Sequence, residues 1–221
     1  MAELLVARGL TKRFGGLTAV NRVDFSVHEG QIAGVIGPNG SGKTTLFNLL
    51  SGYFPPSEGS ISFLGQDITL LSPYQRVVLG MSRTFQLVSV FNSLQVWENL
   101  VLSTLRFKNG HASPGKFYFR TARERDVVDD CLQALKTVGL ENRASLLTSQ
   151  LSYGDKRKLE IAIALSLKPK LLLLDEPLAG LSDHEIGEVL SLIHQMKQGF
   201  TLVIIEHKIS KIVDLVERLS V

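Results

Sequence analysis

The stretch Gly37-Pro38-Asn39-Gly40-Ser41-Gly42-Lys43-Thr44-Thr45 constrains this chain more than any other. It fits G-x-x-x-x-G-K-[ST], the pattern of a phosphate-binding loop. Ile32 to Ile36 before it is a short apolar run that reads as a buried strand. Thr44 to Leu50 after it carries Leu46, Phe47, Leu49 and Leu50 at helix-compatible spacing. Gly37, Gly40 and Gly42 let the backbone approach a phosphate closely. Successive N–H groups and the helix N-terminus then supply partial positive charge. In such a loop Lys43 reaches the terminal phosphates of a nucleotide, and the Thr44 hydroxyl ligates Mg2+. An ordinary glycine-rich strand-to-helix turn is the alternative. The completeness of the motif, with the right elements on both sides, argues against it. The loop alone says nucleotide binding and leaves the use of the nucleotide open.

The 221 residues suffice for a real core, in one domain or one domain with a subdomain. The net charge is +3, but Lys and Arg are scattered. The densest cluster, Lys156-Arg157-Lys158, reads as a solvated helix face rather than a nucleic-acid patch. The single cysteine, Cys131, lies at an apolar position of a helical pattern. It is expected to be a buried packing residue, with no disulfide framework, which suits a reducing cytoplasm. No run approaches the ~18 apolar residues of a membrane helix. The richest stretch, Ile161 to Leu174, is broken by Lys168, Pro169 and Lys170, and Glu3 and Arg8 interrupt any signal-peptide pattern. A membrane role would come through a partner.

Along the chain, Leu4 to Leu10 and Val20 to Val27 read as strands, with Thr11 to Gly16 as the turn between them. Phe14 in that turn is either a core side chain, the better reading taken alone, or an exposed ring for a purine base. Ser60 to Leu64 is a short strand, Gln75 to Leu79 a short helix, and Ser82 to Gln86 a strand. From Leu87 strand signals stop until about residue 150. Trp97 to Leu105 and Arg123 to Val138 read as helices, the second with Val127, Val128, Cys131, Leu132, Leu135 and Val138 as one apolar stripe. Lys108 to Gly115 reads as a loop. Ser152 is a good N-cap for a helix running to about Leu167. Leu171 to Leu174 and Thr201 to Ile205 read as buried strands, Asp183 to Met196 and Ile209 to Val216 as helices, and Arg218 to Val221 as a last short run. Strands alternating with helices mean a mainly parallel sheet. The expected fold class is therefore α/β, with an N-terminal antiparallel β part and an inserted helical subdomain.

In such sheets the site gathers at the carboxyl ends of the strands. Gly37, Gln86, Asp175 and His207 all fall at or just past strand ends. An acid after an apolar strand, here Asp175, holds Mg2+ opposite the loop hydroxyl in phosphate-loop enzymes. Glu176 follows immediately and is placed to polarise a water for in-line attack on a γ-phosphate. Mere surface charge at a strand end is the plainer alternative. His207 is either an ordinary histidine or a γ-phosphate sensor. Gln86 is either a surface amide or part of the Mg2+ and water shell.

With these residues the chain resembles an ATP-binding cassette (ABC) ATPase, a P-loop NTPase core, along essentially its whole length. Phe14 falls on the adenine-stacking aromatic, which reverses the core-first reading. Thr84-Phe85-Gln86 matches the Q-loop, Leu151-Ser152-Tyr153-Gly154-Asp155 the signature usually written LSGGQ, and Asp175 and Glu176 the Walker B acid and the catalytic glutamate. Ala179-Gly180-Leu181-Ser182 falls on the D-loop and His207 on the switch histidine. The resemblance implies ATP and Mg2+ as cofactors. ATP would be bound by Phe14 and by Gly37, Pro38, Asn39, Gly40, Ser41, Gly42, Lys43, Thr44 and Thr45. Mg2+ would be held by Thr44, Gln86 and Asp175, with Glu176 and His207 catalytic. It further implies that Ser152, Tyr153 and Gly154 cap ATP on a second ATPase subunit, identical or not, in a head-to-tail dimer.

Two stretches are most similar to the ATPases of branched-chain amino acid importers: Arg83-Thr84-Phe85-Gln86 with Trp97-Glu98-Asn99-Leu100, and Ile204-Ile205-Glu206-His207. The implied partners are transmembrane permease subunits and, indirectly, an extracytoplasmic solute-binding protein, with no nucleic acid. The implied place is the cytoplasmic face of the membrane. Leu87 to Phe91 would form part of the groove for a coupling helix, or else pack internally. The implied organisation is residues 1–86 as the first part of the core, 87–155 as the helical subdomain and 156–221 as the second part. Three departures stand out: Tyr153 for a glycine, Asp155 for a glutamine beside a phosphate site, and Ser182 for the D-loop Asp. The chain also stops in what reads as a strand, so a truncated C-terminus is expected. A soluble ABC ATPase of DNA repair or translation type is the alternative. The lack of a coiled-coil insert, of a second cassette and of basic clustering weighs against it. In a small-molecule kinase the signature and Glu176 would have no role.

Overall fold

The computed structural model describes residues 2–85, 88–109, 125–197, 199–207 and 209–220. Within them lie two sheets. The first is antiparallel, in the order β2-β1-β4-β5, from β1 (Glu3–Phe14), β2 (Leu17–His28), β4 (Glu58–Phe63) and β5 (Gln66–Asp67). The second is wholly parallel, in the order β6-β7-β8-β3-β9, from β3 (Ile32–Ile36), β6 (Met81–Arg83), β7 (Leu171–Asp175), β8 (Thr201–Glu206) and β9 (Arg218–Ser220). The α/β class with an antiparallel N-terminal part is as expected.

The first hairpin is longer than its apolar pattern indicates. The segment Thr11 to Phe14 belongs to β1 rather than to a turn, and only Gly15 and Gly16 connect the strands. Register shifts between Ala7 and Leu10, Leu10 and Lys12, and Lys12 and Arg13 break the alternation. Such bulges hide a strand from a period-of-two reading. One irregularity has a local partner: Arg22, at φ 47°, donates its N–H to the buried hydroxyl of Thr11 at 3.0 Å.

Every position of β3, β7 and β8 is buried. Strands covered on both faces read as continuous apolar runs, which is how Leu171 to Leu174 and Leu202 to Ile205 appear in the sequence. The register pairs Ile36 with Glu206, Asp175 with Ile205 and Arg83 with Leu173. Parallel pairing at this register puts the carboxyl ends of four strands at one edge. Helix α1 (Lys43–Leu50) follows β3 and inserts Leu46, Phe47, Leu49 and Leu50 into a core cluster with Leu5, Phe25 and Phe63 of the first sheet and Leu171, Val203 and Ile205 of the second. Each such side chain contributes about 2 kcal/mol of transfer free energy. Helix α2 (Pro73–Val78) starts on a capping box between Ser72 and Gln75.

The chain divides into two compact units. The first comprises residues 1–86, 170–179 and 193–221, and the second residues 87–169 and 180–192. The second unit holds α3 (Val96–Asn109), α4 (Arg125–Val138) and α5 (Tyr153–Leu165), which pack on one another, and most of α6 (Asp183–Met196). It runs past residue 155, where the sequence pattern suggests a boundary, because Leu159, Ile161 and Leu165 of α5 are buried and α5 packs against α4. On α4, Val127, Cys131, Leu135 and Val138 are buried as expected, whereas Val128 and Leu132 are 36% and 48% exposed. The apolar stripe is narrower than the six residues indicate. Lys156-Arg157-Lys158 is no solvated face either: Arg157 is fully buried on Glu160 at 2.7 Å, and Lys158 pairs with Glu188 at 2.5 Å. A last helix, α7 (Ile209–Ile212), is shorter than expected. Among the described residues no helix is long and apolar enough to cross a membrane. Lys108 and Asn109, read as the start of a loop, are the last residues of α3. Gln86, Leu87 and the Gly110 to Gly115 part of the expected loop lie outside the described residues.

Candidate functional site

The site of the first unit is built on the turn between β3 and α1. Gly42 is the N-cap of α1, at φ 94°. A Cβ there would come within 2.4 Å of the Ala19 carbonyl oxygen, so only glycine lets the loop lie this close to β2. No side chain caps α1 and its first turn holds no acid, which leaves its leading N–H groups open to an anion. The Lys43 ammonium is folded over the loop. Its Nζ donates to the carbonyls of Gly37 and Pro38 at 2.7 and 2.8 Å and lies 3.4 Å from the Ser41 hydroxyl. A cleft of about 670 Å³ opens here, lined by Asn39, Gly40, Gly42, Lys43, Thr44 and Thr45 of the loop, by Leu17, Thr18 and Ala19 of β2, and by Glu176 and His207.

The acidic wall comes from the ends of β7 and β8. Glu176 sits at φ 47°, a left-handed conformation unusual for a residue with a side chain, just past β7. Its N–H donates to Ile205 at 3.0 Å. Its Oε1 is 2.6 Å from Nε2 of His207, whose Nδ1 lies 3.4 Å from the Gly37 carbonyl. So the carboxylate, the imidazole and the phosphate loop are linked in sequence. Glu206, which the stretch Ile204 to His207 includes without a role, is buried, and its Oε1 accepts the Leu178 N–H at 2.8 Å. This ties the segment after Glu176 to the end of β8. The signal for it is an acid in an otherwise apolar strand, since charged residues are rarely buried without a partner.

Asp175 ends β7, is buried, and does not line the cleft. Its N–H donates to the Thr84 hydroxyl at 3.3 Å, and its Oδ2 accepts from Nη2 of Arg83 at 2.7 Å. Its Oδ1 has no hydrogen-bond partner among the described residues. An orphaned buried carboxylate oxygen is costly unless a further ligand takes it. Thr44 is exposed in the cleft. Oxygen donors of this kind, few in number, fit Mg2+, which keeps several waters and binds through one or two protein oxygens plus phosphate. Among the described residues no group of three His, Cys, Asp or Glu could hold a metal by itself.

Phe14 is 47% exposed, so it is no core residue. Its ring meets Phe54 edge-on at 5.4 Å, with the Lys12 ammonium 5.3 Å from its centroid. It is not among the cleft residues, but its pairing partner across the hairpin, Leu17, is.

The second unit holds the Ser152 to Asp155 segment. Ser152 is the N-cap of α5, its Oγ accepting the Asp155 N–H at 3.1 Å. The Gly154 N–H donates to Oε1 of Glu185 at 2.8 Å. Glu185 also closes a reciprocal pair with Ser182 at the start of α6: its Oε2 accepts the Ser182 N–H and hydroxyl at 3.0 and 2.7 Å. The Ser182 N–H and hydroxyl, then the Gly154 N–H, hold the Glu185 carboxyl down at about 2. Asp155 is buried and ion-paired with Arg143 and, at 3.5 Å, with Lys158. Its charge is thus matched within its own unit. The Tyr153 ring lies against Gly180, where a Cβ would be 3.1 Å from it. Ser182 works as a cap.

Residues 20–179 match the family described as ABC transporter. The high-affinity branched-chain amino acid transport ATP-binding protein LivG of Escherichia coli (strain K12) is 38% identical over 226 residues, spanning 99% of this chain and 87% of that protein. The corresponding protein BraF of Pseudomonas aeruginosa is 36% identical over 222 residues, with the same two shares. Among solved structures, the ADP conformation of an ATP-binding cassette of an ABC transporter superposes with a TM-score of 0.86 at 30% identity, covering 99% of this chain and 87% of that one. A loop of the pattern G-x-x-x-x-G-K-[ST], a parallel sheet carrying acids at its carboxyl edge and near-full-length similarity agree: the chain belongs to the ABC transporter family and is an ABC ATPase homologous to the ATP-binding subunits of branched-chain amino acid importers.

Proposed function

We propose that this chain powers the import of branched-chain amino acids, by binding and hydrolysing ATP between two ATPase subunits docked on permease subunits at the cytoplasmic face of a membrane. Most weight rests on Glu176. Its carboxylate shares one cleft with Lys43 and is oriented by His207 at 2.6 Å. The solute class is taken from LivG and BraF, whose names carry it.

In this reading the N–H groups at the start of α1 and the Lys43 ammonium bind the β- and γ-phosphates, and Phe14 stacks on the adenine. Thr44, Asp175 through its orphaned Oδ1, and Gln86 would hold Mg2+. When bound there, Mg2+ would supply positive charge to offset the negative charge that develops on the phosphate oxygens. Glu176 accepts the proton of the attacking water. His207 fixes the carboxylate beside that water and reports the γ-phosphate through its contact with the loop. Ser152, Tyr153 and Gly154 meet the ATP of the partner subunit, with an N-terminal helix amide as the phosphate contact. Val88 and Val90, half-buried, and Phe91, 57% exposed, offer an apolar surface for a coupling helix of the permease. A solute-binding protein outside the membrane would deliver the amino acid.

Light scattering on Glu176→Gln, with and without ATP, tests the central claim. A shift from monomer to dimer that needs ATP is expected. A monomer at saturating ATP, with ATP demonstrably bound, would remove the two-subunit site. Uptake of leucine, isoleucine and valine by the reconstituted transporter tests the solute.

A further inference from the structure

We propose that Arg83 is a positioning residue for Asp175. It fixes which carboxylate oxygen faces a divalent cation, and it ties that acid to the helix whose first turn carries the Thr44 hydroxyl. The inference rests on the reading of Asp175 as a cation ligand and goes beyond it.

The guanidinium is held on several sides. Nη2 donates to Oδ2 of Asp175 at 2.7 Å, while Nη1 donates to Oδ1 of Asn48 at 2.7 Å and to the Ser51 hydroxyl at 2.8 Å. Its central carbon lies 5.6 Å and 5.5 Å from the ring centroids of Phe47 and Phe85. The side chains of Arg83 and Asp175 are 9% and 3% exposed, so the pair is largely withdrawn from water. Burial makes the geometry decisive, since a buried charge without its partner is strongly unfavourable.

A carboxylate on its own rotates over a broad torsional range, and its two oxygens exchange. Here Arg83 occupies Oδ2, and the unpartnered Oδ1 is left for another ligand. Asn48 lies within α1, and Ser51 is its C-cap. Lys43 and Thr44 open the same helix. One planar fork therefore spans from the acid at the end of β7 to the far end of the helix that presents the second cation donor. Lysine offers a single point charge and cannot grip both sides. Partners of metal-ligating carboxylates characteristically set metal affinity by tenfold to hundredfold.

The test is ADP binding to the whole chain, measured by calorimetry in EDTA and then across a Mg2+ titration. Arg83→Met should leave the EDTA affinity within about twofold and raise the Mg2+ midpoint for tightened ADP binding about tenfold to hundredfold. Arg83→Lys should fall between. Asn48→Ala, which keeps both charges and removes one anchor, should raise the midpoint a few-fold, and it carries the test should Arg83→Met fail to fold. An unchanged midpoint in Asn48→Ala and in the Arg83 variants would overturn the proposal. So would an equal loss of ADP affinity with and without metal, which is what a merely structural role gives. Asp175→Asn separates the underlying reading: if it shares the wild-type midpoint, Asp175 is no cation ligand. If it differs while the Arg83 variants do not, only the role of Arg83 falls.

Discussion

Nε2 of His207 lies 2.6 Å from Oε1 of Glu176, and the two residues come from the ends of neighbouring parallel strands. This contact orients a carboxylate whose own backbone is left-handed. Glu176→Gln keeps the shape of the side chain and removes its basicity. ATP affinity should stay within a few-fold, and kcat should fall ~10²–10⁴-fold. His207→Ala removes both the orienting hydrogen bond and the contact with the Gly37 carbonyl, so kcat should drop about tenfold or more. Steady-state ATPase assays with parallel nucleotide-binding curves check both. A Glu176→Gln variant with normal turnover would assign the base elsewhere.

The Lys43 ammonium is already held over the loop by two backbone carbonyls. Little reorganisation is needed to place it on a phosphate, so its contribution is mainly to affinity. Lys43→Ala should weaken ATP binding at least about 30-fold, the loss typical when one partner of a buried charge pair is truncated. Equilibrium titration with a fluorescent ATP analogue measures it. Unchanged affinity would detach the phosphates from this loop.

What the sequence exposes is what depends on neighbours in the chain. The phosphate loop, the apolar runs of β3, β7 and β8, and the acids that close them are each continuous stretches, so motif and periodicity suffice. The partners that orient those acids are distant. Arg83 and Asp175 are 92 positions apart, and Glu206 and Leu178 are 28 apart. Nothing local marks which residue either acid pairs with. Arg157 misleads for the opposite reason: its partner Glu160 is close, but the same i,i+3 spacing occurs on exposed and buried helix faces alike. Phe14 is ambiguous in the sequence because an aromatic ring suits a core and a surface equally, and only the bulged pairing of β1 brings it to the end of the hairpin. The charge of Asp155 looks troublesome beside a phosphate site because Arg143 lies outside the signature segment.

Glu185 makes the second unit sensitive to acid. Its carboxyl, ordinarily near 4.5, is lowered to about 2 by the N–H and hydroxyl of Ser182 and the N–H of Gly154. A depressed folded-state value means the stabilisation is fully present above the unfolded value and disappears as pH falls through the folded one. Glu185→Gln keeps the capping geometry without the charge. The wild type should therefore melt higher than this variant at pH 7. The difference should shrink as pH falls from about 4.5 through about 2, below which both side chains are neutral. Thermal denaturation of the two proteins over that range decides it. A difference constant with pH would mean the charge plays no part.

Arg76 is the other fully buried arginine, and it faces no carboxylate at hydrogen-bond distance among the described contacts. Its Nη1 donates to the carbonyls of Leu49 and Leu50 at 2.7 Å each, its Nε to Leu71 at 3.0 Å and its Nη2 to Thr69 at 3.0 Å. Leu49 and Leu50 end α1, where carbonyls lack helical partners, so the cation serves as a C-terminal cap inside the core. Burial pushes its guanidinium down to about 10, still charged at neutral pH. Gly52, at φ 78°, leaves the room: a Cβ there would come within 2.7 Å of Nε of Arg76. Arg76→Met fills similar space but takes a donor from each of these carbonyls, of which Leu49 keeps the Gly52 N–H at 3.2 Å, at about 1–3 kcal/mol for each one left unpaired where water cannot reach it. The variant should lose about 3 kcal/mol in urea denaturation with an unchanged m-value, while ATP affinity of the remaining native protein is kept, because the first turn of α1 is untouched. Gly52→Ala should destabilise through the same contact, and combining the two should cost less than the sum, since residues in one contact do not act independently. Full additivity of the pair would show that Gly52 matters for its backbone angle alone, and a neutral Arg76→Met would show that the end of α1 needs no cation.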